Sequence, residues 1–230
     1  SRVERTRLYT DAWKRAVDEA GGASDLDLLA SAWSVGASAM TATDLDLDRQ
    51  DYGARGAGTA LEIFAAFSYL GVSGASVWGV DVPNLSRLSD DAGDDVSVSS
   101  VGATFALMAS SLPGTRLLEP YRPQDRSDQV MSYLYGDDDR LVLFVAANDI
   151  ATGGTTVSRD LQAYGATSII SARSLGWRDG DGSLTGTALD RLDEVPVLLP
   201  ATAKLADGDL SVMLRQDYEV VQVILRRQIE

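Results

Sequence analysis

The sequence predicts two kinds of structure in succession: an α/β layer over residues 1–120, then an all-β sandwich over residues 121–230. Two observations carry this. In the first part, long helical apolar patterns alternate with short, wholly apolar runs, the pattern of parallel strands covered by helices on their faces. In the second part, seven short β-rich runs follow one another at close spacing with turn residues between them, the pattern of a sandwich.

The elements follow in order. From Val3 to Ala20 the apolar positions Val3, Leu8, Trp13, Ala16 and Val17 form a helical stripe, which Gly21-Gly22 ends. Leu28 to Val35 reads as a buried strand, followed by an acidic loop with Asp44, Asp46, Asp48 and Asp51. Ala54 to Leu70 is an Ala-rich helix carrying Leu61, Ile63, Phe64, Phe67 and Leu70, and Gly71 stops it. Ala75 to Val80 reads as the second strand. A loop with Asp90, Asp91, Asp94 and Asp95 leads to a third helix over Val98 to Leu112, closed by Pro113-Gly114. The polar stretch Pro120 to Asp128 marks the transition. Beyond it, strands are expected at Met131–Tyr135, Leu141–Ala146, Thr156–Leu161, Thr167–Ala172, Val195–Leu199, Leu210–Leu214 and Val220–Leu225. Gly136-Asp137-Asp138, Gly153-Gly154, Gly180-Asp181-Gly182 and Asp207-Gly208 supply the turns.

Composition removes whole classes of function. The 230 residues include no cysteine and no histidine, and the formal net charge is −14. Disulfides, thiolate chemistry, the usual zinc sites and His-dependent triads are excluded. Catalysis would have to use carboxylates, Tyr, Lys or a metal held by oxygen ligands. Nucleic acid and anionic membrane surfaces are poor partners for so acidic a chain, whereas cations such as Ca2+ fit it. No apolar run reaches the ~20 residues a membrane span requires.

Three segments in order resemble clan-A-type glycoside hydrolases, which are (β/α)8 (TIM) barrels. Leu29-Ala30-Ser31-Ala32-Trp33-Ser34-Val35 is similar to their seventh strand, which often ends in Ser-Glu-Trp-Asn with the Glu as catalytic nucleophile. Gly53 to Val80 resembles the next helix and the eighth strand, through Gly56-Ala57, Leu70-Gly71-Val72 and Ala75-Ser76-Val77-Trp78-Gly79-Val80. Gly102-Ala103-Thr104-Phe105-Ala106-Leu107-Met108 and Leu112-Pro113-Gly114 resemble the last helix. In these families a C-terminal β-sandwich commonly follows. The resemblance therefore implies the last strand–helix units of a barrel with an antiparallel sandwich appended. It also implies a polysaccharide as substrate or ligand and an extracellular or cell-surface setting. A complete barrel has eight strands and ~250 residues, so the rest is expected on an N-terminal segment or another chain. A self-contained α/β layer packed on the sandwich is the alternative.

The same resemblance puts Ala32 where the nucleophilic Glu stands, and a retaining mechanism needs two carboxylates. Activity is therefore in doubt, and a non-catalytic module that binds glycan or Ca2+ or builds a surface assembly is the competing expectation. Trp33, Trp78 and Asp81 are the candidate substrate contacts, with a core role as the alternative for both tryptophans. Asp44, Asp46 and Asp48 could ligate Ca2+. Their spacing opens like an EF-hand, but Arg49 and Arg55 stand where the glycine and the bidentate Glu belong, so a solvated acidic loop is the favoured reading. Glu62 and Glu119 are read as structural. Asp179-Gly180-Asp181-Gly182 is read as a turn rather than a metal site.

Overall fold

The computed structural model describes residues 2–22, 28–33, 54–77, 86–88, 96–121, 129–148, 150, 153–178 and 195–228. The first part runs α1 (Arg2–Glu19), β1 (Leu28–Trp33), α2 (Arg55–Leu70), β2 (Val72–Val77), β3 (Ser86–Leu88), β4 (Val96–Val98) and α3 (Ser100–Ser111). β1 and β2 pair in parallel, with Leu28 opposite Val72 and Trp33 opposite Val77, and α2 connects them. This is the βαβ unit that the wholly apolar runs predict.

Two boundaries differ from expectation, and one strand pair is additional. β2 begins at Val72 rather than Ala75. Gly71, at φ 70°, closes α2 in the left-handed conformation with its N–H on the Phe67 and Ser68 carbonyls, so the chain enters the strand in the next residue. α3 begins at Ser100 rather than Val98, because the Ser99 hydroxyl accepts the Gly102 N–H as a helix cap. The acidic stretch before α3 is flanked by the antiparallel pair β3–β4, which no sequence pattern announced.

The second part comprises β5 (Arg116–Leu117), β6 (Val130–Gly136), β7 (Arg140–Ala147), β8 (Thr155–Asp160), a 3-10 turn (Gln162–Tyr164), β9 (Ala166–Arg178), β10 (Val195–Pro200), β11 (Ala203–Ala206), β12 (Asp209–Leu214) and β13 (Val220–Arg227). Six strands form one sheet in the order β10-β9-β13-β7-β6-β5, and three form another in the order β11-β12-β8. All pairs in both sheets are antiparallel. Each of the seven expected runs is a strand, and β5 and β11 are additional.

β9 is 13 residues long, where the pattern suggested only Thr167–Ala172. Arg173, Ser174 and Gly176 interrupt the apolar alternation, yet each suits a strand in this setting. Ser174 is fully buried and hydrogen-bonded to Glu219. A Cβ at position 176 would stand 2.9 Å from the Gln216 side-chain nitrogen, so glycine makes room for that side chain.

The central strands of the six-stranded sheet, β6, β7 and β13, are buried on both faces. Val142, Phe144 and Ala146 of β7, with Met131, Tyr133 and Tyr135 of β6, pack against Ala57, Leu61 and Ala65 of α2 and Leu107 and Met108 of α3. The alternate residues Leu141, Leu143 and Val145, with Val221, Val223 and Leu225 of β13, pack against Leu210, Val212 and Leu214 of β12. The strand period of two thus sends one half of β7 to the helices and the other half to the sandwich. Complete burial of each such side chain is worth about 1.5–3 kcal/mol. Gln222 ties the layers together: its Nε2 donates to the Leu107 carbonyl at 3.0 Å and to the Ser111 hydroxyl at 2.9 Å. No described helix is long and apolar enough to cross a membrane.

Candidate functional site

The strand carrying the candidate nucleophile position is β1. Ala32 lies in it, between Ser31 and Trp33, so the position has no carboxyl group to offer. Trp33 is buried on the helix side. It stands edge-on to Phe67 of α2, with ring centroids 6.0 Å apart at 85°, and clusters with Ala60 and Val101. That geometry makes it the wedge between β1 and the helices. Edge-to-face pairs of this kind add about 0.5–1.5 kcal/mol beyond area burial. Its indole Nε1, a donor only, has no acceptor among the described residues.

Trp78 and Asp81, the other two candidate substrate contacts, lie outside the described residues, as do Asp44, Asp46 and Asp48 and the segment Asp179 to Gly182. Among the described residues, no three acidic side chains converge on a point where a metal ion could sit.

The β1–β2 sheet has only two strands, and among the described residues neither outer edge carries a further strand. Leu29 is 69% exposed, and on α1 Leu8 and Trp13 are 62% and 59% exposed. Parallel sheets ordinarily have both faces covered, and natural proteins protect exposed edges.

Several carboxylates elsewhere engage hydrogen-bond donors. Glu62 accepts from the Tyr121 hydroxyl at 2.9 Å. Burial, then the Glu62 charge and that hydrogen bond, push the Tyr121 phenol well above its ordinary range. Tyr133 and Tyr135 rise as well, chiefly by burial. Burial therefore favours the neutral form of all three phenols. Glu119 is held by Arg159, whose guanidinium also reaches the Ser132 hydroxyl, and by the Tyr164 hydroxyl at 3.3 Å. Both glutamates are tied into packing contacts, as their isolation in the sequence suggests.

Sequence reasoning passed over Glu219, which is 1% exposed. Its carboxylate accepts from the Ser174 hydroxyl, the Arg215 N–H and the Gln216 N–H, and pairs with the Arg215 guanidinium at 3.2 Å. Its donors come from β9 and from the segment joining β12 to β13. The only local signal is an acidic residue at the mouth of an apolar strand.

No family profile and no curated protein matches the sequence. Solved structures match the fold. A family 51 α-L-arabinofuranosidase from Bifidobacterium longum aligns at TM-score 0.68 and 15% identity, over 97% of this chain and 47% of that one. The family 51 arabinofuranosidase from Xanthomonas axonopodis pv. citri aligns at TM-score 0.59 and 17% identity, over 86% and 41%. A family 30 endoxylanase from Clostridium papyrosolvens aligns at TM-score 0.53 and 11% identity, over 90% and 43%. The chain thus spans less than half the length of each of these structures. With β1–α2–β2 and α3 packed on a two-sheet sandwich, the chain has the fold of the C-terminal part of a clan-A TIM-barrel glycoside hydrolase with its appended β-sandwich.

Proposed function

We propose that this chain is a glycoside-hydrolase-like polysaccharide-binding protein that does not cleave its ligand by the retaining route. The observation that carries the reading is Ala32 on β1, the strand that the resemblance assigns to the nucleophile, in a fold matching an arabinofuranosidase over 97% of the chain. A double displacement needs a carboxylate to form the glycosyl intermediate and a second to protonate the leaving group. Alanine supplies no carboxylate for the glycosyl intermediate. The neighbours are named for xylan and arabinofuranoside chemistry, so a pentose-rich plant polysaccharide met outside the cell is the ligand class proposed, with Trp78 and Asp81 as the contacts.

The test is affinity electrophoresis in gels containing arabinoxylan, with a reducing-sugar assay on the same preparation. Retarded migration without sugar release is expected. Unretarded migration would defeat the binding reading, and sustained release of sugar would defeat the non-cleaving one.

A second reading is favoured by the β1–β2 sheet. Its two edges, which carry no further strand among the described residues, and the exposed Leu8, Trp13 and Leu29 suit companion β/α units that complete a barrel, supplied by a preceding segment or another chain. The protein would then serve as one component of a surface assembly.

A further inference from the structure

A cavity of about 560 Å³ lies on the sandwich, where the turn after β8 runs past the end of β13. Its frame is set by close backbone contact. The Gln228 N–H donates to the Gly165 carbonyl at 2.9 Å. Gly165 has φ +74°, and a Cβ there would stand 2.1 Å from the Gln228 carbonyl oxygen, so only glycine permits this approach. The Arg227 side chain is fixed from two directions: Nε donates to the Tyr164 carbonyl at 3.0 Å and Nη1 to the Asp137 carbonyl at 2.7 Å. The backbone rim of the cavity and Arg227 are therefore held by the protein's own hydrogen bonds, which lowers the ordering cost of binding.

The polar residues lining it are Gln162, Tyr164, Thr167, Arg227 and Gln228, and no Asp or Glu stands among the described lining residues. That set therefore lacks the carboxylates on which cation sites ordinarily rely. It is too polar to hold an apolar ligand, and the net charge of −14 on the chain works against an anionic one. Amides and hydroxyls both donate and accept, which is what the vicinal hydroxyls of a sugar require. The volume lies within the roughly 300–1,000 Å³ typical of small-molecule sites.

We propose that this cavity is a binding site for a neutral saccharide, carried on the sandwich and separate from the β1–β2 end of the molecule. The choice of a saccharide rests on the polysaccharide reading above; the cavity, with its hydrogen-bonded rim and no Asp or Glu among the described lining residues, does not. A site of this kind would hold a side branch or a distant stretch of the same polymer.

The experiment is calorimetric titration of xylo-oligosaccharides and arabino-oligosaccharides into the wild-type chain and into Gln162→Ala and Gln228→Ala. Both glutamines are exposed, and thermal unfolding checks that each variant keeps its fold. Saturable binding to the wild type is expected, with about tenfold weaker affinity in each variant at unchanged Tm. Wild-type affinity in both variants would place the sugar elsewhere and overturn the cavity while leaving the polysaccharide reading intact. Retardation by arabinoxylan with no oligosaccharide heat would do the same. Absence of both heat and retardation would overturn the two together.

Discussion

Replacing Glu219 with alanine tests a buried carboxylate that joins β9 to the segment between β12 and β13. Its carboxylate is 1% exposed and accepts from the Ser174 hydroxyl and the Arg215 and Gln216 N–H groups. Removing it strands these donors where water does not reach, since Ser174 is 0% exposed and Gln216 only 8%. Each buried donor left without an acceptor costs about 1–3 kcal/mol. Arg215, with its side chain 36% exposed, turns to solvent and adds little. The Ser174 hydroxyl recovers part of its loss by rotating, so the expected net loss is about 3–5 kcal/mol. Glu219→Gln keeps one oxygen but turns an NH2 toward these donors, and about 2 kcal/mol is expected. Equilibrium urea unfolding reads both as shifts in midpoint at constant slope. A Glu219→Ala protein within about 1 kcal/mol of wild type, with the slope unchanged, would refute the reasoning.

Two further outcomes are expected. Gly165→Ala should lose roughly 1–3 kcal/mol, because strain at φ +74° adds to a clash with the Gln228 carbonyl. Gly21→Ala, at φ +71° with nothing within 4 Å, should lose only the strain, about 1 kcal/mol; equal losses by thermal unfolding would remove the role given to the carbonyl. The second concerns acid. Burial acts to raise the Asp137 carboxyl, but hydrogen bonds from the Arg140 side chain and from the Asp139 and Arg140 N–H groups, with the Arg140 charge, hold it below its ordinary 3.8. A depressed carboxyl binds fewer protons folded than unfolded, so its stabilisation is complete above 3.8 and fades as pH falls below it. Asp137→Asn should therefore show a shallower fall of Tm with pH below about 4 than wild type; parallel curves would show that the β6–β7 turn does not carry this effect.

The fold was largely legible because its signals are local. Leu28 to Trp33 and the Ala54–Leu70 pattern announce a strand and a helix from apolar spacing alone, and each sandwich strand from Met131 onward is bracketed by turn residues. What was missed depends on partners distant in sequence. Ser174 and Gly176 look like strand breakers until Glu219 and Gln216 are seen beside them. β11, β5 and the β3–β4 pair are too short for a period of two to show. At the candidate site, the ordered motifs pointed to the fold, while Trp33 belongs by its contacts with Phe67 and Ala60 to the helix-facing core. No spacing rule distinguishes a tryptophan facing a helix from one facing a ligand, because both follow an apolar strand.

The double burial of the sheet's central strands has a consequence for anyone who would cut the molecule. Severed from its helices, the piece from residue 121 onward would keep its inner sandwich but expose Val142, Phe144, Leu175 and Trp177 on a broad oily wall. Such a wall invites sticking between copies. The appended sandwich is thus no detachable accessory: α2 and α3 act as its missing third layer, and any engineered carrier of the sandwich has to bring that cover with it.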